Sequence, residues 1–198
     1  MCAPSLRPSA PRSNRSVPAL ALILCLLVSG CWKSTPGFFD LSRAVQPLTA
    51  GTYTETDLSQ PKPAAGKKPE TRPVFLVRDG EGYRAQWGVN GEMMKVFLVP
   101  LDAEAPSTLI YEAQDVSCAE PDCAGQSPPV YVGLLRLLKD GSIERIEPEQ
   151  ADPDLVIAKA AGASCDDQAI CSFNEVQSLK RALKKLAAEP ANFLYTPQ

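Results

Sequence analysis

Residues 83–101, with the sequence YRAQWGVNGEMMKVFLVPL, decide the fold class of this chain. Apolar side chains fall at every second position from Tyr83 to Val89, which is typical of a strand with one buried face. Asn90-Gly91 then tolerates the positive φ angles of a two-residue type I′ turn, and a nearly continuous apolar run, Met93 to Leu101, follows. The stretch therefore predicts a β-hairpin whose second strand is buried on both faces.

The same pattern continues on both sides of this hairpin. Apolar or β-branched runs alternate with turns that contain glycine, such as Asp79-Gly80-Glu81-Gly82 and Asp140-Gly141. Tight turns between consecutive runs favour antiparallel pairing. Further strands are predicted at 51–58, 74–78, 108–114, 129–138 and 142–146, and residues 193–195 form either a last strand or a segment packed on the core.

The C-terminal part has a helical pattern. Apolar residues recur at helical spacing from Val176 to Ala187, and Pro190 ends the segment. Ser172-Phe173-Asn174-Glu175 has the form of a capping box, and residues 154–161 fit either a strand or a short helix. The sequence thus predicts a mainly β (α+β) fold: a curved antiparallel sheet or barrel-like meander of about six or seven strands with one C-terminal amphipathic helix.

The start of the meander resembles one family of barrels. Gly51-Thr52-Tyr53, followed by hairpins and a late helix, is similar to lipocalin-type barrels. The chain departs from that family because Tyr53 stands where its G-x-W motif has tryptophan. The resemblance implies a barrel that carries a small apolar ligand.

Residues 1–30 have the layout of an export signal. Arg7, Arg12 and Arg15 precede an apolar run from Ala19 to Val28, and no acidic residue is present. The run is about half of the roughly 20 apolar residues that a membrane-spanning helix needs. We therefore expect export and removal of this segment.

The end of the signal resembles the lipobox of prokaryotic lipoproteins. Leu27-Val28-Ser29-Gly30-Cys31 has a branched apolar residue, small residues and then the cysteine. The resemblance covers only the first 31 residues and implies cleavage between Gly30 and Cys31, with palmitate-type acyl chains and diacylglycerol on Cys31. Trp32 follows instead of the Asp that favours inner-membrane retention in enterobacterial sorting, which implies the periplasmic face of the outer membrane.

The remainder of the chain divides into two parts. Residues 31–50 lack strong periodicity and contain two prolines, so we interpret them as a lipidated tether, although Phe38 and Phe39 could dock on the domain. Residues 51–198 are expected to form a single antiparallel β domain with the C-terminal helix. After loss of residues 1–30 the chain keeps 17 of its 20 basic residues and all 23 acidic ones. This acidic balance disfavours nucleic acid as a partner.

Four cysteines remain in the domain: Cys118, Cys123, Cys165 and Cys171. An even number in an oxidising compartment predicts two disulfides. Of the three pairings, the local one joins Cys118 to Cys123 and Cys165 to Cys171, and the crossed pairings stay open. Neither pair has C-x-x-C spacing and the chain has no histidine, so a zinc site is disfavoured.

The absence of histidine also removes Ser-His-Asp and Cys-His nucleophile systems. Carboxylate pairs that could serve a glycosidase are Asp102 with Glu104 and Glu112 with Asp115, but acidic residues at strand ends usually solvate turns. Acidic residues suggestive of calcium occur at 152–154 and 166–167, without an EF-hand-type loop. We therefore expect no metal, and no cofactor other than the covalent lipid.

Six aromatic residues at strand spacing are either core or the lining of a pocket: Tyr53, Tyr83, Trp87, Phe97, Tyr111 and Tyr131. The sequence favours a non-catalytic domain that binds an envelope protein or component. The alternative is a lipocalin-like carrier of a small apolar ligand, and the third is an envelope enzyme without histidine. An enclosed apolar cavity of roughly 300 Å³ or more would favour the carrier.

Metabolic labelling tests the lipid on Cys31. Cells fed labelled palmitate should label the wild-type chain but not Cys31→Ala, because the acyl chains attach through that cysteine. Cys25→Ala is the matched control and should keep the label, since the large Leu24 before it does not fit a lipobox. Equal labelling of wild type and Cys31→Ala would contradict the anchor.

Overall fold

The computed structural model describes residues 32–34, 38–60, 69–89, 91–103, 106–116, 130–149, 152–167 and 169–198. Over these ranges the strands are β1 (Trp32–Ser34), β2 (Gly51–Asp57), β3 (Thr71–Asp79), β4 (Gly82–Trp87), β5 (Met93–Pro100), β6 (Thr108–Asp115), β7 (Val130–Leu137), β8 (Ile143–Ile146), β9 (Ser164–Cys165), β10 (Cys171–Ser172) and β11 (Phe193–Pro197). The helices are α1 (Asp152–Ala160) and α2 (Val176–Leu186), with one 3-10 turn at Leu41–Arg43. None of the described helices is long and apolar enough to cross a bilayer.

Eight antiparallel strands close into a barrel. Strands β2 to β8 form a meander in which each pairs with the next, and β11 then inserts between β8 and β2. The short strands β1, β10 and β9 extend the sheet outward from one edge of β7. The predicted mainly β, barrel-like fold with a C-terminal helix is confirmed.

The predicted number of six or seven strands is too low. The barrel has eight strands, and three strands of two or three residues lie beside it. Residues 193–195, which the sequence left open between a last strand and a packed segment, belong to the five-residue strand β11. Local pattern does not reveal its pairing with β2, which is far away in the sequence. Residues 154–161, ambiguous in sequence, belong largely to α1.

The hairpin that decided the fold class is present as β4 and β5, but its turn differs from the prediction. Gln86 pairs with Met93, and the Trp87 N–H donates to the Glu92 carbonyl at 3.3 Å. Four residues, 88–91, therefore lie between this hydrogen-bonded pair instead of two. The positive φ angle falls on Gly88, at 72°, and Asn90 lies outside the described residues.

The barrel wall separates two hydrophobic cores. The inner core lies inside the barrel and includes Met94, Val96 and Leu98 of β5. The outer core lies between the barrel wall and both helices, and it includes Val99 from the same strand. The start of β5 alternates between buried and half-buried residues, so only its C-terminal end is buried on both faces as predicted.

Helix α2 begins later than the capping-box pattern indicates. Its N-cap residue is Glu175, which makes no side-chain capping hydrogen bond. Ser172 is instead part of β10, where it pairs with Lys33 and Ser164. Ser172 thus belongs to the extension of the sheet and not to the start of the helix that the local pattern predicted.

The segment expected to be a tether packs on the domain wherever it is described. Trp32 is fully buried, and its ring lies 5.4 Å from that of Phe173. Phe39 and Leu48 are also buried. The tether interpretation of residues 31–50 therefore does not hold for these parts, and the alternative that Phe39 docks on the domain does, because their apolar side chains complete both cores. Cys31 lies outside the described residues.

One disulfide of the predicted local pairing is present. Cys165 and Cys171 lie opposite each other on β9 and β10 and are bonded. Cys118 and Cys123 lie outside the described residues.

The outer core should contribute strongly to stability. Leu183 of α2 is fully buried there, so Leu183→Ala should lower the free energy of unfolding by roughly 2–5 kcal/mol through lost burial and the cavity it leaves. Urea unfolding measures the effect. Lys185→Ala, on the exposed face of the same helix, should change the value by less than about 0.5 kcal/mol. Equal effects of the two substitutions would contradict the packing of α2 on the barrel.

Candidate functional site

The barrel contains a cavity of about 370 Å³. This volume lies in the lower part of the range of roughly 300–1,000 Å³ that is usual for small-molecule sites. Much of the wall is apolar and comes from inward-facing strand residues, among them Val74, Leu76, Ala85, Met94, Val96 and Ile143. The inner core is therefore incompletely filled by its own side chains.

One end of the barrel is closed by residues 45–48, and we call it the capped end. The Tyr83 hydroxyl accepts from the Leu48 N–H at 2.8 Å and lies 3.1 Å from the Leu48 carbonyl oxygen. The Val45 N–H donates to the Leu98 carbonyl at 2.8 Å, and the Gln46 amide donates to the Gly80 and Gly82 carbonyls. These bonds fix the segment against the end of the barrel.

The opposite end is formed by the C-terminal ends of β2, β4, β6 and β8, and we call it the mouth. Its wall is more polar than that of the capped end. Arg72, Glu92, Tyr131, Arg145 and Glu147 all line the cavity on this side. The cavity is thus amphipathic along the barrel axis.

Four charged residues form an ion network below the mouth: Glu55, Arg72, Arg145 and Glu147. The Glu55 side chain is only 3% exposed. It accepts from Arg72 Nε and, at 2.8 Å, from Trp87 Nε1, and it lies 3.8 Å from Arg145. Since an isolated buried carboxylate would be strongly unfavourable, these donors explain how Glu55 stays inside the wall.

Arg145 is held at the centre of this network. Its Nε lies 3.1 Å from a Glu147 oxygen but is not aligned for a hydrogen bond. Its guanidinium carbon lies 4.2 Å from the ring centroid of Phe193, 5.5 Å from that of Tyr195 and 5.7 Å from that of Trp87. Burial alone would lower the pKa of Arg145, but the surrounding carboxylates and phenols, Glu147 foremost, raise it above its ordinary value. The guanidinium therefore stays charged.

Two buried phenols complete the polar part of the wall. The Tyr111 hydroxyl donates to Glu147 at 3.0 Å, and Gly133 opposite makes room for this ring, because a Cβ there would lie 2.6 Å from the hydroxyl oxygen. Glu55 contributes to raising the pKa of the Tyr195 phenol. Among the described atoms, however, none meets hydrogen-bond geometry with the Tyr195 hydroxyl. Burial raises the pKa of both phenols well above their usual range, so both remain protonated.

The predicted aromatic set divides cleanly between the two faces of the wall. Five of its members line the cavity: Tyr53, Tyr83, Trp87, Tyr111 and Tyr131. Phe97 does not line it and instead lies under the Lys95 ammonium, 5.1 Å from its ring centroid. Sequence reasoning missed Glu55, Arg145 and Glu147. For Glu55 a signal existed, since it is in phase with Tyr53 along β2.

The structure describes one predicted carboxylate pair in full, Glu112 with Asp115, and does not bring its members together. Asp102 is 43% exposed and pairs with Lys184 at 2.9 Å, while Glu104 lies outside the described residues. Glu112 and Asp115 are three positions apart on β6, so they face opposite sides of the sheet. Among the described residues, no group of three or more acidic, cysteine or histidine side chains could hold a metal ion, which includes the described part of the two acidic stretches.

Glu112 lies in the outer layer, away from the cavity. Its residue is 5% exposed, and the Ser34 hydroxyl of β1 lies 3.4 Å from its carboxylate. Burial raises the pKa of Glu112 to about 7, against the smaller opposing effects of Ser34 and the Phe39 backbone. This carboxyl is thus close to the joint between β1 and the barrel.

Comparisons with known proteins found no match to this chain among family models, curated proteins or solved structures.

The raised pKa of Glu112 predicts a pH-dependent stability. Because the folded state binds this proton more tightly than the unfolded state, the fold loses stability as pH rises from about 4.5 to about 7. Glu112→Gln should therefore be more stable than wild type above pH 7, by roughly 1–2 kcal/mol because part of the charge is solvated, and should match it near pH 4.

Urea unfolding across this pH range measures the difference. Glu81→Gln, at an exposed turn, is the control and should follow wild type throughout. A constant gap between Glu112→Gln and wild type at every pH would rule out titration of this carboxyl as the cause.

Proposed function

We propose that this protein is an exported, lipid-anchored carrier that holds a small, largely apolar ligand inside its barrel. The observation that carries the proposal is the cavity of about 370 Å³, since a domain that only presents an outer surface needs no such space. The closed barrel is compatible with the lipocalin-like alternative from the sequence.

The described surface gives less support to a domain that binds a protein partner. Its exposed large apolar side chains are Leu58, Val77, Val89 and Val156. They lie after β2, on β3, in the β4–β5 turn and on α1, so they belong to separate elements. A few exposed apolar residues are normal on soluble domains and do not by themselves indicate an interface.

The proposed anchor suits a carrier. Strand β1 begins at the residue after Cys31, and Lys33 pairs with Tyr131, which lines the mouth side of the cavity. Lipid on Cys31 would therefore attach the barrel wall itself to the membrane, in our proposal the periplasmic face of the outer membrane. A ligand that moves between the cavity and the bilayer would then travel only a short distance.

Filling the cavity tests the carrier function. The full-length chain with Cys31→Ala, which removes competing acyl chains, should bind the neutral dye N-phenylnaphthylamine saturably. Ala113 lines the cavity, so Ala113→Phe should weaken binding at least about tenfold by occupying the space. Dye fluorescence during titration gives the dissociation constant.

Val77→Phe is the matched control, because it adds an equal ring on the outer face of β3, where Val77 is 52% exposed. It should bind the dye as the parent does. No saturable binding, or equal binding by Ala113→Phe and Val77→Phe, would contradict a ligand site inside the barrel.

A further inference from the structure

We propose that the cavity accepts amphiphiles with an uncharged polar end and rejects carboxylate anions, because both of its arginines are already neutralised by buried glutamates. The inference rests on the proposed carrier function and names its ligand class. An ester or alcohol of a medium-length alkyl chain has the required chemistry, with the chain toward the capped end and the polar group toward the mouth.

Arg145 would be the natural partner of an incoming carboxylate, yet its charge is compensated within the wall. Glu147 lies 3.1 Å from it and Glu55 lies 3.8 Å away. The ring centroids of Phe193 and Tyr195 lie 4.2 and 5.5 Å from its guanidinium carbon. Its side chain is 12% exposed, so it has little freedom to turn toward a ligand.

The Arg72 side chain is 36% exposed, but its charge is also compensated by a glutamate of the wall. Its Nε donates to Glu55, the carboxylate shared with Arg145. The ion network therefore contains two cations and two anions. An additional carboxylate would leave the network with net negative charge in a site where burial makes such charge unfavourable.

The mouth adds further negative charge. Glu92 lines the cavity there, and no cation of the described residues forms an ion pair with its carboxylate. Burial first, and then the negative charges of Asp115 and Glu92, raise the pKa of the Tyr131 phenol. An anion that passes Glu92 would be repelled, whereas an uncharged polar group could donate a hydrogen bond to the Tyr131 hydroxyl or accept one from it.

Competition against N-phenylnaphthylamine tests this selectivity. Decanoate, methyl decanoate and decanol share the same alkyl chain and differ in the polar end. At neutral pH, methyl decanoate and decanol should displace the dye from the Cys31→Ala chain at concentrations at least about tenfold lower than decanoate. Equal or tighter binding of decanoate would overturn the inference while leaving the carrier function intact. Failure of the dye itself to bind would instead refute the carrier function.

Removing one buried negative charge should invert the preference. Glu147→Gln keeps an acceptor for the Tyr111 hydroxyl but leaves Arg145 partly uncompensated. This variant should bind decanoate at least about tenfold more tightly than the parent, with little change for decanol. Glu144→Gln is the control, since Glu144 is the preceding outward-facing residue on β8 and pairs with Arg136.

Two further results with the Glu147→Gln variant bear on the inference. If Glu147→Gln binds the dye normally but gains nothing for decanoate, charge compensation of Arg145 is not what excludes anions and the inference fails. If that variant does not fold, the comparison of the three ligands on the parent chain still decides, and Glu55→Gln provides a second test of the same network.

Discussion

The pairing of β11 between β2 and β8 is the constraint on which the rest of the structure depends. It closes the sheet, so that no edge of the eight barrel strands is left without a neighbour. It also brings Phe193 and Tyr195 onto the guanidinium of Arg145. Because the chain between β8 and β11 must leave the barrel and return, α1 and α2 pack on the outer face and create the second core.

The two cores differ in how completely their side chains fill them. The outer core is filled by large side chains such as Trp32 and Leu183, all close to full burial. The inner core keeps a space of about 370 Å³, even though its wall contains several tyrosines. A protein can leave such a space only if other contacts supply stability, because a cavity forgoes dispersion contacts. The helices outside the barrel provide those contacts and so permit the open interior.

Local pattern was enough to predict the meander, because each strand from β2 to β8 pairs with the next one along the chain. Local pattern was not enough to predict the charged residues of the ion network. Glu55 and Arg145 lie far apart in the sequence and meet only because β11 lies between β2 and β8 and joins them. The phase that Glu55 shares with Tyr53 along β2 indicates an inward side chain, but no local pattern identifies the partners that it meets there. Likewise, Ser172 fits a capping box by spacing, and only the pairing of β10 with β1 removes it from that role.

Both membrane sorting and core packing can account for a tryptophan at position 32. In the sequence its importance lies in following Cys31 without an aspartate, which bears on membrane sorting. In the structure its side chain is fully buried against Phe173, so packing alone accounts for a large aromatic residue there. The burial of Trp32 has a separate consequence, because a residue fixed in the core one position after Cys31 gives a lipid on that cysteine almost no free chain, and the barrel would remain at the membrane surface.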